Sequence, residues 1–275
     1  MNLFKSKIVP LAITLILSAF IFSCEKVIEL PLNETAQRVV IEASTSNFIG
    51  DSFVKLSRTT TIYGKDEFQK INNATVTITD KDGNITTFIE AETNSGVYTH
   101  PTFVVGENNK YTLVVNVDNT TYTGESVTQS LTPLETIFTK KIPGGQLVPG
   151  VGVIKDTVYT LYIGYSDNVT EKNYYRFNVY ANGVRNKRMN ISDDKVSNGK
   201  TVTTSFFSKF DKNDFVFVEM INLDKANYTY FYSMANTKNG GPFSATPANP
   251  VSNIEGGAIG YFGAYLKDTL SILIH

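Results

Sequence analysis

The chain of 275 residues has one cysteine, two histidines and no tryptophan. A single thiol cannot close an internal disulfide, fill a cysteine-based zinc site or hold an iron–sulfur cluster. Two histidines, one of them His275 at the end of the chain, leave no basis for a multi-histidine metal site, and no cofactor motif is present. Neither sign of charge is in excess. With 25 basic and 26 acidic residues the formal charge is -1, which provides no basic surface for nucleic acid. Beyond residue 22 no apolar run is long enough to span a membrane. The chain is nevertheless 41% hydrophobic and 12% aromatic, enough to bury a core.

The first 24 residues address a compartment. Lys5 and Lys7 precede an apolar stretch from Ile8 to Phe22 that contains Pro10, Thr14 and Ser18. A spanning helix needs roughly 20 apolar residues, so this shorter run reads as the core of a signal peptide over residues 1–23. It ends in Ile21-Phe22-Ser23-Cys24, and the order of charge, apolar run, small residue and cysteine resembles a bacterial lipobox. That resemblance implies cleavage before Cys24, a diacylglycerol on its sulfur and an acyl chain such as palmitate on its amino group. Two or three such chains anchor a protein firmly where one does not. Loss of Lys5 and Lys7 with the leader takes the formal charge from -1 to -3. Residues 24–37 then form a short polar tether.

From residue 38 the apolar residues recur with period two, the mark of half-buried strands. Val39, Ile41 and Ala43 share one face, as do Val54 and Leu56, Val76 and Ile78, and the set Tyr111, Leu113, Val115 and Val117. Turn formers punctuate them at Asp80–Asn84, Asn94–Gly96 and Gly106–Asn109. About seven short strands over residues 38–130 predict an immunoglobulin-like or transthyretin-like sandwich, with Tyr111 placed where a tyrosine corner would close a Greek key. Glycine- and proline-rich residues 143–152 predict a long loop without regular structure. A second β-rich domain over 131–275 is expected to contain strands at Tyr159–Tyr165, Tyr175–Ala181, Ile259–Leu266 and Leu270–Ile274. The apolar run Phe215–Met220 predicts a buried central strand. One helix is predicted at about 224–237, with Asp224 as N-cap and Ala226, Tyr230, Phe231 and Met234 facing a core. The fold class is therefore mainly β, a sandwich followed by a β-rich domain with one helix.

Reactive constellations are few. Asp80-Lys81-Asp82-Gly83-Asn84 lacks the spacing of an EF-hand and reads as a hairpin turn. The glycines at 256, 257, 260 and 263 lack the strand–turn–helix setting of a dinucleotide site and suit close strand packing or a bulge. No Gly-x-Ser-x-Gly elbow occurs, His100 precedes Pro101 in a turn, and Asp193-Asp194 reads as part of a solvated loop. Tyr162, Tyr174 and Tyr180 point away from one core face; they suit cover by a second sheet or a partner better than a sugar platform.

Several segments carry a family resemblance. After Cys24 come Glu25-Lys26-Val27-Ile28-Glu29-Leu30, then Val39–Ala43 and Val54–Ser57, and near the end Ser252-Asn253-Ile254-Glu255-Gly256-Gly257 with Gly260-Tyr261-Phe262-Gly263-Ala264-Tyr265. Together they resemble the lipoproteins of Bacteroidota grouped as the domain of unknown function 4249 family. With no catalytic constellation in the sequence a non-catalytic protein is expected, and the resemblance implies an outer-membrane lipoprotein, at the cell surface in preference to the periplasmic face. Its partner would be a TonB-dependent receptor or similar barrel engaged in nutrient capture. The alternatives are a structural subunit of an outer-membrane assembly or secretion complex, and a surface hydrolase. Thr157 and Thr269, each in an Asp-Thr-aliphatic triplet, resemble the O-glycosylation sites of that phylum.

Overall fold

A computed structural model describes residues 37–60, 68–148, 152–238 and 249–275. Cys24, the expected signal peptide and residues 24–36 of the expected tether lie outside the described residues, as do residues 149–151 of the glycine-rich segment. Among the described residues no helix is long and apolar enough to cross a membrane.

The seven strands expected in the first half are β1 (Val39–Ser46), β2 (Phe53–Arg58), β3 (Thr75–Thr79), β4 (Ile85–Glu90), β5 (Val97–Thr99), β6 (Asn109–Val117) and β7 (Thr120–Thr128). The second half continues with β8 (Thr136–Ile142), β9 (Leu147–Val148), β10 (Gly152–Val153), β11 (Val158–Ser166) and β12 (Tyr174–Ala181). There follow β13 (Val184–Arg185), β14 (Asn190–Asp193), β15 (Thr201–Phe210), β16 (Phe215–Leu223), helix α1 (Lys225–Lys238), β17 (Ile254–Glu255) and β18 (Ile259–Leu273). The chain is mainly β, as the alternation predicts. The glycine-rich segment holds more order than expected. β9 and β10 pair as a minimal hairpin, with Gly145 donating to Ile154 O and Ile154 donating to Gln146 O.

Among the described residues thirteen strands join in one sheet, in the order β13-β12-β16-β18-β1-β2-β5-β4-β3-β6-β7-β17 with β14 beside β12; β15-β11-β8 form a second sheet. The two cores follow from β18. Its residues Phe262, Ala264 and Leu266 enter the core built from β1 to β7, and Leu270 and Ile272 on the same face pack against the core between β12, β16 and the second sheet. The first half of β18 pairs in parallel with β1, and the second half pairs antiparallel with β16. Where two C-terminal strands were expected there is one of 15 residues. The polar interruption at Lys267 and Asp268 is accommodated because both side chains are bonded: Lys267 to Glu219 and Asp51, Asp268 to the Leu134 N–H.

The expected boundary near residue 130 corresponds to the connection between β7 and β8. That connection runs where the two cores meet, with Thr132 N donating to Asn222 Oδ1 (3.2 Å) and Leu134 N to Asp268 Oδ2 (2.9 Å). Residues 37–275 nonetheless form one compact unit, because β18 belongs to both halves.

One correction concerns a single strand. β16 is central, between β12 and β18, and Val216, Val218 and Met220 are fully buried. Its other face is not apolar, for Glu219 lies there, and Phe215 at the strand start is 49% exposed. Tyr111 adopts the corner arrangement: it is buried, and its hydroxyl accepts from Gly106 N (2.7 Å), five residues upstream.

Candidate functional site

The reverse face of the large sheet carries α1, which packs on β12, β14 and β18. Asp224 starts the helix as a cap should. Its Oδ1 accepts from Asn227 N (2.7 Å) and its carbonyl from Tyr228 N (2.9 Å), satisfying donors that the first turn leaves free. Its Oδ2 accepts from Ser126 Oγ (2.6 Å) and Val127 N (3.1 Å), tying the helix start to β7. The buried stripe is Asn227, Tyr230, Phe231 and Ala235, with Met234 half-buried. Ala226, expected on that stripe, is exposed; the buried position one residue later is taken by Asn227, which donates to Phe262 O (2.9 Å) and accepts from the Tyr265 hydroxyl (2.9 Å).

Tyrosines lead outward from this interface. Tyr174, expected to face away from one core under a second sheet or a partner, is buried under α1 with its ring 4.6 Å from that of Tyr228, which stacks at 5.6 Å on Tyr232. Tyr232 is 50% exposed, so the ladder ends in solvent. Lys172 lies 5.9 Å over Tyr174, and Asp193 accepts from the Tyr228 hydroxyl (3.5 Å) while pairing with Lys195 (3.1 Å). Burial, reinforced by Asp193, pushes the Tyr228 phenol above its ordinary range, so it stays a neutral donor at physiological pH.

Beside the ladder a polar chain crosses four strands. Arg185 Nη2 donates to Asn178 Oδ1 (2.7 Å), and Asn178 donates to Glu219 Oε2 (2.9 Å), as does the Tyr180 hydroxyl (3.0 Å). Lys267 Nζ then bridges Glu219 Oε1 (3.0 Å) and Asp51 Oδ2 (2.5 Å), under the Phe48 ring. Burial alone would raise the Glu219 carboxyl. The bonds from Asn178 and Lys267, with the Lys267 charge and Tyr180, outweigh it and hold the pKa below the ordinary value. For Lys267 burial acts downward, and Asp51 and Glu219 reverse it, leaving the amine above its ordinary range. Sequence reading missed Glu219, Lys267 and Arg176. Each is a charged residue inside a mostly apolar strand, and that pattern is the signal that could have found them.

The remaining candidates serve the fold. Asp80 closes its hairpin turn by accepting from Asp82 N, Asn84 N and Asn84 Nδ2, and those bonds, from Asn84 above all, hold its carboxyl below the ordinary range. Asp194 is not solvated as expected: it is buried and accepts from Asn173 N (2.8 Å), fixing the loop after β14. His100 lies beside Phe88 and Phe103 and accepts from Thr102 N (3.3 Å), at the rim of an open groove of about 590 Å³. Tyr162 stacks at 5.1 Å on Phe138, with Lys140 4.8 Å over its ring. Thr157 is exposed just before β11, whereas Thr269 is half-buried in β18. Among the described residues no three His, Cys, Asp or Glu side chains are grouped to hold a metal ion.

In the C-terminal segment that carries the family resemblance, Asn253, Gly260 and Gly263 serve the fold. Asn253 exchanges hydrogen bonds with Phe262 (Nδ2 to O, 2.7 Å; N to Oδ1, 2.9 Å). Gly260 has φ +116, and a Cβ there would lie 2.0 Å from Ile41 O in β1. Gly263 leaves its space to the Tyr265 ring, whose hydroxyl a Cβ would meet at 1.8 Å.

The family described as Domain of unknown function (DUF4249) matches residues 25–271. A comparison with curated proteins finds no match.

Proposed function

This chain belongs to the DUF4249 family, and on that premise we propose that it is a non-catalytic lipoprotein of a Bacteroidota outer membrane. Its β-rich body binds a TonB-dependent receptor or a similar barrel in nutrient capture. The observation that carries the reading is the position of the only cysteine. It stands at the end of a leader-like apolar run, and the family match starts at the next residue. The reverse face supports a binding role. Its carboxylates are committed to hydrogen bonds, burial keeps the Tyr228 phenol protonated, and tyrosine that is partly exposed at its edge suits a protein interface.

Labelling cells with palmitate tests the anchor. The natural chain should take up label and sediment with outer membranes, and Cys24→Ser should stay unlabelled and leave that fraction. An unlabelled natural chain overturns the reading. Crosslinking of the anchored protein should recover a barrel, and deletion should impair growth on a particular nutrient. General envelope defects without nutrient dependence would instead indicate a subunit of an assembly complex.

A further inference from the structure

Arg176 occupies the reverse face of β12, the face that α1 covers. Its guanidinium carbon is 4.2 Å from the centroid of the Phe231 ring. Its Nε is closed off from solvent without a hydrogen-bond partner, and among the described residues no carboxylate pairs with it. The residue as a whole is half-buried. A cation in such surroundings is ordinarily paired, because an aromatic face offsets only part of the lost hydration.

The acids nearest in the fold are committed elsewhere. Glu219 is taken by Asn178, Tyr180 and Lys267; Glu42 pairs with Lys55 at 3.5 Å; Asp193 pairs with Lys195; Asp224 caps α1. A second cation, Arg185, stands opposite Tyr180 in the β12–β13 pair. It is exposed and spends one bond on the neutral Asn178. Tyr261 of β18 supplies a half-buried phenol whose ring lies 5.0 Å from both Phe231 and Tyr230. Burial holds Arg176 below its ordinary range, with the Arg185 charge acting in the same direction and the surrounding phenols against it. Two arginines thus stand on this face, and neither has an acid bonded to it among the described residues.

We propose that Arg176, with Arg185 and Tyr261, forms a binding site for an oxyanion, the carboxylate or phosphate group of a small ligand. The guanidinium fork matches the two oxygens of either group, Arg185 adds charge at the rim, and the Tyr261 hydroxyl is a donor. Phe231 and Tyr230 make an apolar wall that favours an organic anion over a bare ion. The site depends on neither the lipid anchor nor a barrel partner.

The test is a titration of the full chain in detergent micelles, at constant ionic strength, with inorganic phosphate, acetate and benzoate in separate arms. Thermal unfolding and calorimetry are read together. The natural chain should show saturable stabilisation by at least one of the three, with chloride as the reference. The arm that saturates distinguishes phosphate from carboxylate, and benzoate against acetate reads the apolar wall. Arg176→Met should bind about tenfold more weakly or worse, while its ligand-free melting temperature equals or exceeds that of the natural chain, because an apolar group replaces an unpaired charge. Absence of saturable stabilisation in all arms, or undiminished binding by Arg176→Met, overturns the proposal. Should Arg176→Met fail to fold, Arg185→Gln on the exposed hairpin decides it: several-fold weaker binding supports the site and unchanged affinity overturns it.

Discussion

Glu219 shows how a charge can stand in an apolar strand. Its carboxylate accepts from Asn178, Tyr180 and Lys267, so partners replace the water it loses. Its pKa lies below the ordinary 4.5, so its contribution to stability is complete above that value and is lost as the pH falls through the depressed one. Lys267 lies above the ordinary 10.5; its contribution is complete below that value and is lost as the pH rises through the raised one. The pair should therefore stabilise the fold across the neutral range and fail at both extremes. Glu219→Gln should cost about 1–3 kcal/mol at pH 7, and the cost should vanish in acid once the natural carboxylate is protonated. Urea denaturation of both proteins at pH 7 and at successively lower pH checks this; a deficit that does not shrink as the pH falls would show that packing, not charge, is responsible.

At the scale of elements, β18 decides the architecture, and it depends on two small residues. Gly260 lets β18 lie against β1 at a φ that other residues rarely adopt, and Gly263 leaves room for Tyr265 to reach Asn227 of α1. Gly260→Ala should destabilise by about 4 kcal/mol or more, since the Ile41 carbonyl cannot yield without breaking the parallel ladder. Loss of soluble expression, or a large fall in the unfolding midpoint, is the expected result. Gly183, with φ +80 and open space around it, is the control, where Ala should cost no more than about 1–2 kcal/mol. The N-cap of α1 and most strand faces were legible in the sequence because capping and alternation are local. The place of Ala226 was not, because the buried stripe of α1 is set by what lies beneath it: Asn227 is turned inward by Phe262 O and Tyr265.

For the whole molecule, sharing β18 means that the halves do not close separately. The core of β1 to β7 includes Ile254, Ala258, Phe262, Ala264 and Leu266, all from the far end of the chain. A chain ended at residue 130 should therefore fail to give a cooperative transition, and the full chain should unfold in one step by circular dichroism and fluorescence alike. Two separated transitions, with the fragment reproducing the first, would show independent domains.

The sequence by itself determined the class of this protein: period-two alternation writes the strands, turn formers write their ends, and the order of charge, apolar run and lone cysteine writes an expected address. These are local patterns, and local sterics and burial suffice to impose them. Only the tertiary structure decided that one late strand would pair in parallel with the first, more than two hundred residues away, and join two cores. It also decided which charges on the reverse face would be neutralised and that Arg176 would be left without an acid. Pairing between distant strands, and the compensation of charge across them, depend on which chain segments meet in space, and no spacing along the sequence records that.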